Sequence, residues 1–326
     1  MFAVAAGSHT LRHTLRITIP DRRLVSAPAL PALPPRSATE IVDGAVQLIR
    51  PQFGYFLRIA AIGAIPALVQ AVLTLILFPV QPTEPGALLQ RELKMLPLTL
   101  LTYAFASMQS GAIITGALAL LRGEVLPTVW QAFTAAFRRM FALLGVSLLT
   151  VLLFMAIALP IVIAGAFLVI SQGASLGPSL GSGSGAAILI VVAAVALLAV
   201  IIAVFLTVFA RSAVMTCLVI AEGLGPIESL RRAHALSRGH YLLLAKTYGL
   251  VLLIVGVVYG VMASIATAFR DQQQVVQALL SVLIVPVVPI LGGIMLLTYA
   301  DLRVRREGAD LDAALEALPG LTTSPG

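Results

Sequence analysis

Reactive chemistry in this chain would have to come from few side chains. It holds four histidines and one cysteine. His9 and His13 stand four apart, a spacing that puts two imidazoles on one helix face, but no acid or thiol accompanies them. A zinc site needs three or four ligands, so the pair reads as part of an unstructured tract. His234 and His240 lie in and just after a basic amphipathic segment, which suits a headgroup boundary better than a catalytic dyad. Cys217 sits in an apolar run and reads as a small packed residue. No HExxH, GxSxG, Walker A or GxGxxG pattern occurs in a usable context. The sequence therefore nominates no catalytic residue, metal ligand or cofactor.

The charged side chains say more. In "LLTYADLRVRREGADLD", Leu296 to Asp312, an apolar run ends in alternating charge. On a helix Asp301 meets Arg305 and Arg303 meets Glu307 at i, i+4, so the charges largely satisfy one another. A plain stop signal needs arginines only. The register of Asp301 and Glu307 instead suggests a docking element, expected to lie against Glu222 and the helix carrying Arg231, Arg232 and Arg238. These eight residues form the candidate docking or headgroup cluster. An enzyme acting on lipid headgroups would need Glu222, Asp301 and Glu307 to converge beside a metal.

Two polar residues fall inside apolar sequence. Arg211 has apolar residues on both sides, so unless a helix ends there it must face a partner or a wet cavity, with Glu222 the nearest acid in sequence. Gln109, in "SMQSG", reads as an interhelical hydrogen-bond position or, more sharply, as the lining of a substrate path shared with Gln70.

These residues need elements to hold them, and the composition names the kind. Of 326 residues, 60% are hydrophobic and 11% charged, with mean hydropathy +1.04. A soluble domain carries about a quarter charged residues. Apolar runs near 55–80, 97–121, 140–170, 186–210, 241–268 and 275–299 match the ~20 residues that cross a bilayer as helix. The alternation of a barrel is missing, so the expected fold is an all-α integral membrane protein with six transmembrane helices in three hairpins. Pro160 and the run past Arg211 predict tilt or kinking in the third and fourth spans, and "VPVVPILGG" a break in the last. All lysines and arginines except Arg91, Lys94 and Arg270 then fall on one side, which by the positive-inside rule places both termini in the cytoplasm. The same rule accounts for the net charge of +7 without nucleic acid.

The same grammar recurs before the first, third and fifth spans: "SATEIVDGAVQLIRPQF", "LPTVWQAFTAAFRRMF" and "GPIESLRRAHALSRGHY". Each is a helix start, about a dozen amphipathic residues, an arginine and an opening aromatic. Ser37 and Glu40 make a capping box, and Pro127 and Pro226 stand at first-turn positions. Arg50, Arg138 and Arg238 are equivalent. The expected element is a cytoplasmic interfacial amphipathic helix with Ile41, Ala45, Leu48 and Ile49, or Val129, Phe133 and Phe137, on its apolar face. The chain divides into a basic, Pro-rich arm (1–36), a membrane domain (37–312, with units near 37–121, 122–220 and 221–300) and a cytoplasmic tail (301–326).

Three stretches carry a resemblance. "LLTYADLRVRREGADLD" resembles the closing signature of bacterial six-span proteins named for the glycerophosphoryl diester phosphodiesterase membrane domain. "IAEGLGPIESLRRAHALSRGHYLLL" and "EIVDGAVQLIRPQFGYFLRIAAIGAIP" are similar to that family's other segments, so the likeness covers about 38–312. By position it marks the docking cluster together with Gly239, Tyr299, Gly308 and Asp310; Ala300 stands where a second tyrosine is usual. The catalytic barrel that gives the family its name needs roughly 250 residues of its own and has no room here. The resemblance implies a membrane module of the bacterial cytoplasmic membrane rather than an esterase. The expected function is a non-enzymatic accessory or organising protein whose basic cytoplasmic face contacts anionic lipids or a membrane-protein partner; the alternative is a small-solute transporter or permease subunit.

Overall fold

The computed structural model describes residues 36–78, 85–176, 184–268 and 282–308, and all regular structure among them is helical. The helices are α1 (Ala38–Ile49), joined by a 3-10 turn (Arg50–Gln52) to α2 (Phe53–Leu77), then α3 (Pro85–Leu121), α4 (Val129–Arg138), α5 (Met140–Leu176), α6 (Ser184–Ala221), α7 (Pro226–Ser237), α8 (Tyr241–Ala268) and α9 (Val287–Glu307). Six are long and apolar enough to cross a membrane: the α1–α2 stretch, α3, α5, α6, α8 and α9. A helix satisfies every interior peptide group within itself, which lipid requires. Pro66, Pro97 and Pro160 lie inside α2, α3 and α5 without ending them.

Several boundaries differ from the sequence expectation. α3 begins twelve residues earlier than 97, because "ALLQRELKM" is rich in good helix formers and Pro97 is absorbed. α6 runs through Arg211 to Ala221. The last span is displaced toward the C-terminus. The chain turns at 284–286, Pro286 caps α9, and Pro289 falls in the first turn, where a missing N–H costs no intrahelical bond. α9 then continues through the charged segment until Gly308, at φ 59°, closes it in the left-handed conformation. Residues 275–281, the arm to 35, and the tail from 309, with Asp310, lie outside the described residues.

The core sits in the C-terminal halves of α3, α6 and α9, which touch one another. Ile113, Ile114 and Ala117 of α3, Val214, Leu218 and Val219 of α6, and Leu296, Ala300 and Leu302 of α9 are completely buried. Lipid gives no hydrophobic drive to bring helices together, so close packing must do it. Gly292 shows the requirement: a Cβ there would collide with Ile113. The outer halves of α5, α6 and α8 behave differently, leaving Leu152, Ile163, Val195, Leu198, Leu253 and Val257 exposed. Exposed aliphatic side chains on a spanning helix suit hydrocarbon.

Each short helix buries one face in the protein. α1 packs along α9 and α8, with Ile41 and Ala45 buried against Val251, Ile294 and Leu297 and Ile49 buried in the main core. α4 packs on α3 and α7 on α6. The inward face of α4 is Ala132, Phe133 and Ala136, not the expected Val129, Phe133 and Phe137; Phe137 is 58% exposed. The reason is close approach, since Ala136 reaches Gly111 of α3, where a larger side chain would not fit. Pro127 also falls outside the first turn where it was expected, two residues before the first helical residue. Thr128 caps α4 in a reciprocal capping box with Gln131, while Pro226 does occupy the first turn of α7.

Candidate functional site

The C-terminal ends of α3, α6 and α9 converge with α4, α7 and the start of α1, and most of the nominated charges gather there. Two junctions hold them. The first is built on Asp301, which is 3% exposed and bonded to Arg305 one turn on, Nε to Oδ2, at 2.6 Å. Its other oxygen accepts the backbone N–H of Arg36 at 2.7 Å, and Arg305 Nη2 donates to the Arg36 carbonyl at 2.8 Å. The pair thus grips both backbone polar groups of Arg36, the residue just ahead of the α1 cap. Ser37 in turn donates its N–H to Glu40 at 2.6 Å and starts the helix. The end of the last span is in this way fastened to the start of the first short helix, 265 residues away.

The second junction is centred on Glu222. Tyr299, fully buried on α9, donates its hydroxyl to Glu222 Oε1 at 2.7 Å. Arg232 of α7 approaches Oε2 at 3.8 Å. Arg306 adds a weak contact from its Nε to the Ala235 carbonyl at 3.3 Å. The charged exit of α9 thus lies against Glu222 and the Arg232 helix. Arg231 and Arg238 of the candidate cluster are exposed, and Arg303 is half-buried. The side chain of Glu307, and so its pairing with Arg303, lies outside what is described.

The intramembrane candidates take structural partners. Gln109 donates to the Ala60 carbonyl of α2 at 2.8 Å and packs so closely on Gly63 that a Cβ there would lie 2.5 Å from it. Gln70 bonds Thr99 at 2.8 Å and Thr102 at 2.9 Å. Both glutamines therefore tie α2 to α3 by interhelical hydrogen bonds. Arg211 does not reach Glu222, which is occupied by Tyr299 and Arg232. Its guanidinium lies over the Tyr241 ring, 5.6 Å from the centroid, and its Nε is buried with no hydrogen-bond partner among the described residues. An aromatic face can hold such a cation where no carboxylate is near.

Two features went unmarked in the sequence. Arg139, just after α4, inserts under the end of α6 and donates from Nη1 to the Val219 carbonyl. Arg122, at the end of α3, meets Glu124 at 3.9 Å. Both arginines line a groove of ≈ 330 Å³ with Thr115, Glu124, Pro127 and Ile220. The sequence signal was a paired turn. "LRGE" and "AEGL" each end a long helix with a charge followed by glycine, and both glycines have positive φ, 67° at Gly123 and 74° at Gly223.

His234 is exposed, His240 half-buried, and His9 and His13 fall outside the described residues. Among the described residues no three metal-ligating side chains come together. Glu222 and Asp301 serve separate junctions with separate partners. Comparison with known proteins finds no matching family model, no matching curated protein and no matching solved structure, so the six-helix membrane architecture and these two junctions carry the functional reading.

Proposed function

We propose that this chain is a non-enzymatic, multi-pass protein of the bacterial cytoplasmic membrane, an accessory or organising module whose basic cytoplasmic face contacts anionic lipids or a partner protein. Its six spans form three hairpins, each introduced by an amphipathic helix at the cytoplasmic boundary, in the manner of the glycerophosphoryl diester phosphodiesterase membrane domain family that its sequence resembles. One observation carries the reading: Arg50, Arg138 and Arg238, at or just past the ends of the three short helices, are all exposed, whereas the half-buried Glu222 and the buried Asp301 are held in contacts within the fold. Exposed arginines beside spanning helices draw anionic headgroups with about 1 kcal/mol each.

The test is lipid retention by purified protein in nanodiscs containing equal phosphatidylglycerol and phosphatidylcholine, read by native mass spectrometry. The anionic lipid is expected to be enriched at low salt, and the triple variant R50Q/R138Q/R238Q to lose that enrichment. Equal retention of both lipids by the unaltered protein would overturn the lipid reading.

Arg211, with its unpartnered Nε, favours the alternative of a small-solute transporter or permease subunit. Arg211→Gln separates the two. A transporter loses flux at unchanged thermal stability, whereas a structural arginine loses stability.

A further inference from the structure

We propose that the groove between the end of α3, the α3–α4 loop and the end of α6 binds a phosphate ester through Arg122 and Arg139. The inference deepens the lipid reading by giving it one defined, saturable site, and it rests on that reading for the expected source of the phosphate.

Charge comes first. Two guanidiniums line the groove and a single carboxylate, Glu124, shares it. The Arg122–Glu124 approach is long, 3.9 Å, and the Glu124 side chain is 57% exposed, so the carboxylate is free to swing away. With two arginines against one carboxylate the groove is net positive in either case, and more so when Glu124 swings away. Hydrogen bonding comes second. Arg122 is only 16% exposed, and its Nε is buried with no partner among the described residues. A desolvated guanidinium N–H calls for an acceptor, and phosphate oxygens match the planar fork of arginine.

Arg139 is fixed in advance. Its Nη1 is anchored on the Val219 carbonyl, and Gly223 leaves room for it, since a Cβ there would come within 2.9 Å of the same nitrogen. A ligand that meets an immobilised arginine loses less side-chain freedom on binding. The ≈ 330 Å³ of space accommodates a headgroup-sized molecule. Surroundings come last. Val125, Trp130 and Phe141 are 93%, 79% and 83% exposed on the neighbouring loop and helices. Aromatic and aliphatic side chains displayed beside arginines mark the membrane boundary, where acyl chains and phosphates coexist.

The test uses the full chain in lipid-free detergent, with binding of short-chain phosphatidic acid and of glycerol 3-phosphate followed by native mass spectrometry and thermal shift. One equivalent is expected to bind, about tenfold more weakly in Arg122→Gln and a few-fold more tightly in Glu124→Gln, whose competing carboxylate is gone. Arg138→Gln, outside the groove, should leave this site intact while lowering general anionic-lipid retention. Much tighter binding of the phosphatidic acid assigns the site to a lipid; equal binding of both ligands assigns it to a soluble phosphate ester. If Arg122→Gln and Glu124→Gln bind as the unaltered protein does, or no saturable equivalent is found, the groove proposal is overturned, even where Arg138→Gln shows that the basic face still attracts lipid.

Discussion

The ends of α3 and α6 are built on one plan and finish in opposite states. Each helix stops at a charged residue followed by a glycine of positive φ, Arg122–Gly123 and Glu222–Gly223, and each is followed within a few residues by a proline and a short helix. At the end of α6 the charge is a carboxylate, and a buried tyrosine and an arginine close over it. At the end of α3 the charge is a guanidinium, and its surroundings stay open as a groove. The backbone turn is therefore neutral with respect to role. The sign of one side chain, and whether a neighbouring helix supplies a group to seal it, separates a locked joint from a receptive one.

Substitutions can break that comparison, and the largest effect belongs to the joint beside Glu222. Asp301→Ala strands Arg305 and the Arg36 N–H, and losing one partner of a buried pair typically costs about 3–5 kcal/mol. Arg305 is about a quarter exposed, which puts the expected loss at the lower end. Chemical unfolding in detergent measures it, and a loss below about 1 kcal/mol would show that the α1 start is held by apolar packing alone.

Tyr299→Phe comes next, with about 1.5–3 kcal/mol expected for a hydrogen bond to a charged group. A double-mutant cycle with Glu222→Gln assigns that loss to the pair, and additive losses would contradict it. The glycines sharpen the contrast further. Gly123→Ala meets open space and should cost only the left-handed backbone term, about 1–2 kcal/mol, whereas Gly223→Ala also displaces Arg139 and should cost more. Equal losses in thermal unfolding would mean that Arg139 is not held as described. The smallest effect is expected at Arg122→Gln, within about 0.5 kcal/mol, because its partner Glu124 is exposed and distant. A large loss there would make the α3 end a second locked joint.

Much of the frame was legible in the residues. Long apolar runs announced helices because lipid leaves backbone groups no other partner, and the Asp301/Arg305 pair followed from helical periodicity alone. The expected contact of the α9 exit with Glu222 and the Arg232 helix came from reading its in-register charges as a docking element, and the bonds that form there are Tyr299 to Glu222 and Arg306 to the Ala235 carbonyl. Hydropathy failed where charged residues still favoured helix, as in the first turns of α3, whose arginine, glutamate and lysine hide a helix from an apolar window. Apolar periodicity also did not say which face of α4 turned inward, because alanines weigh little in hydropathy and much in close approach.

The sequence by itself determined what depends on neighbours along the chain: six apolar helices, the Ser37 cap, the glycine stops and the in-register charges of α9. Those are set by solvation of the backbone and by a fixed helical repeat. Only the tertiary structure decided that Asp301 and Arg305 hold the backbone of Arg36, that Tyr299 seals Glu222, that α1 lies along α9, and that Arg122 and Arg139 share a groove. Those partners are 77 to 269 residues apart, or meet across helices. No local pattern specifies such pairings, because they come from the way helix surfaces fit together, at glycines such as Gly223 and Gly292 where a single added methyl group would force the neighbours apart.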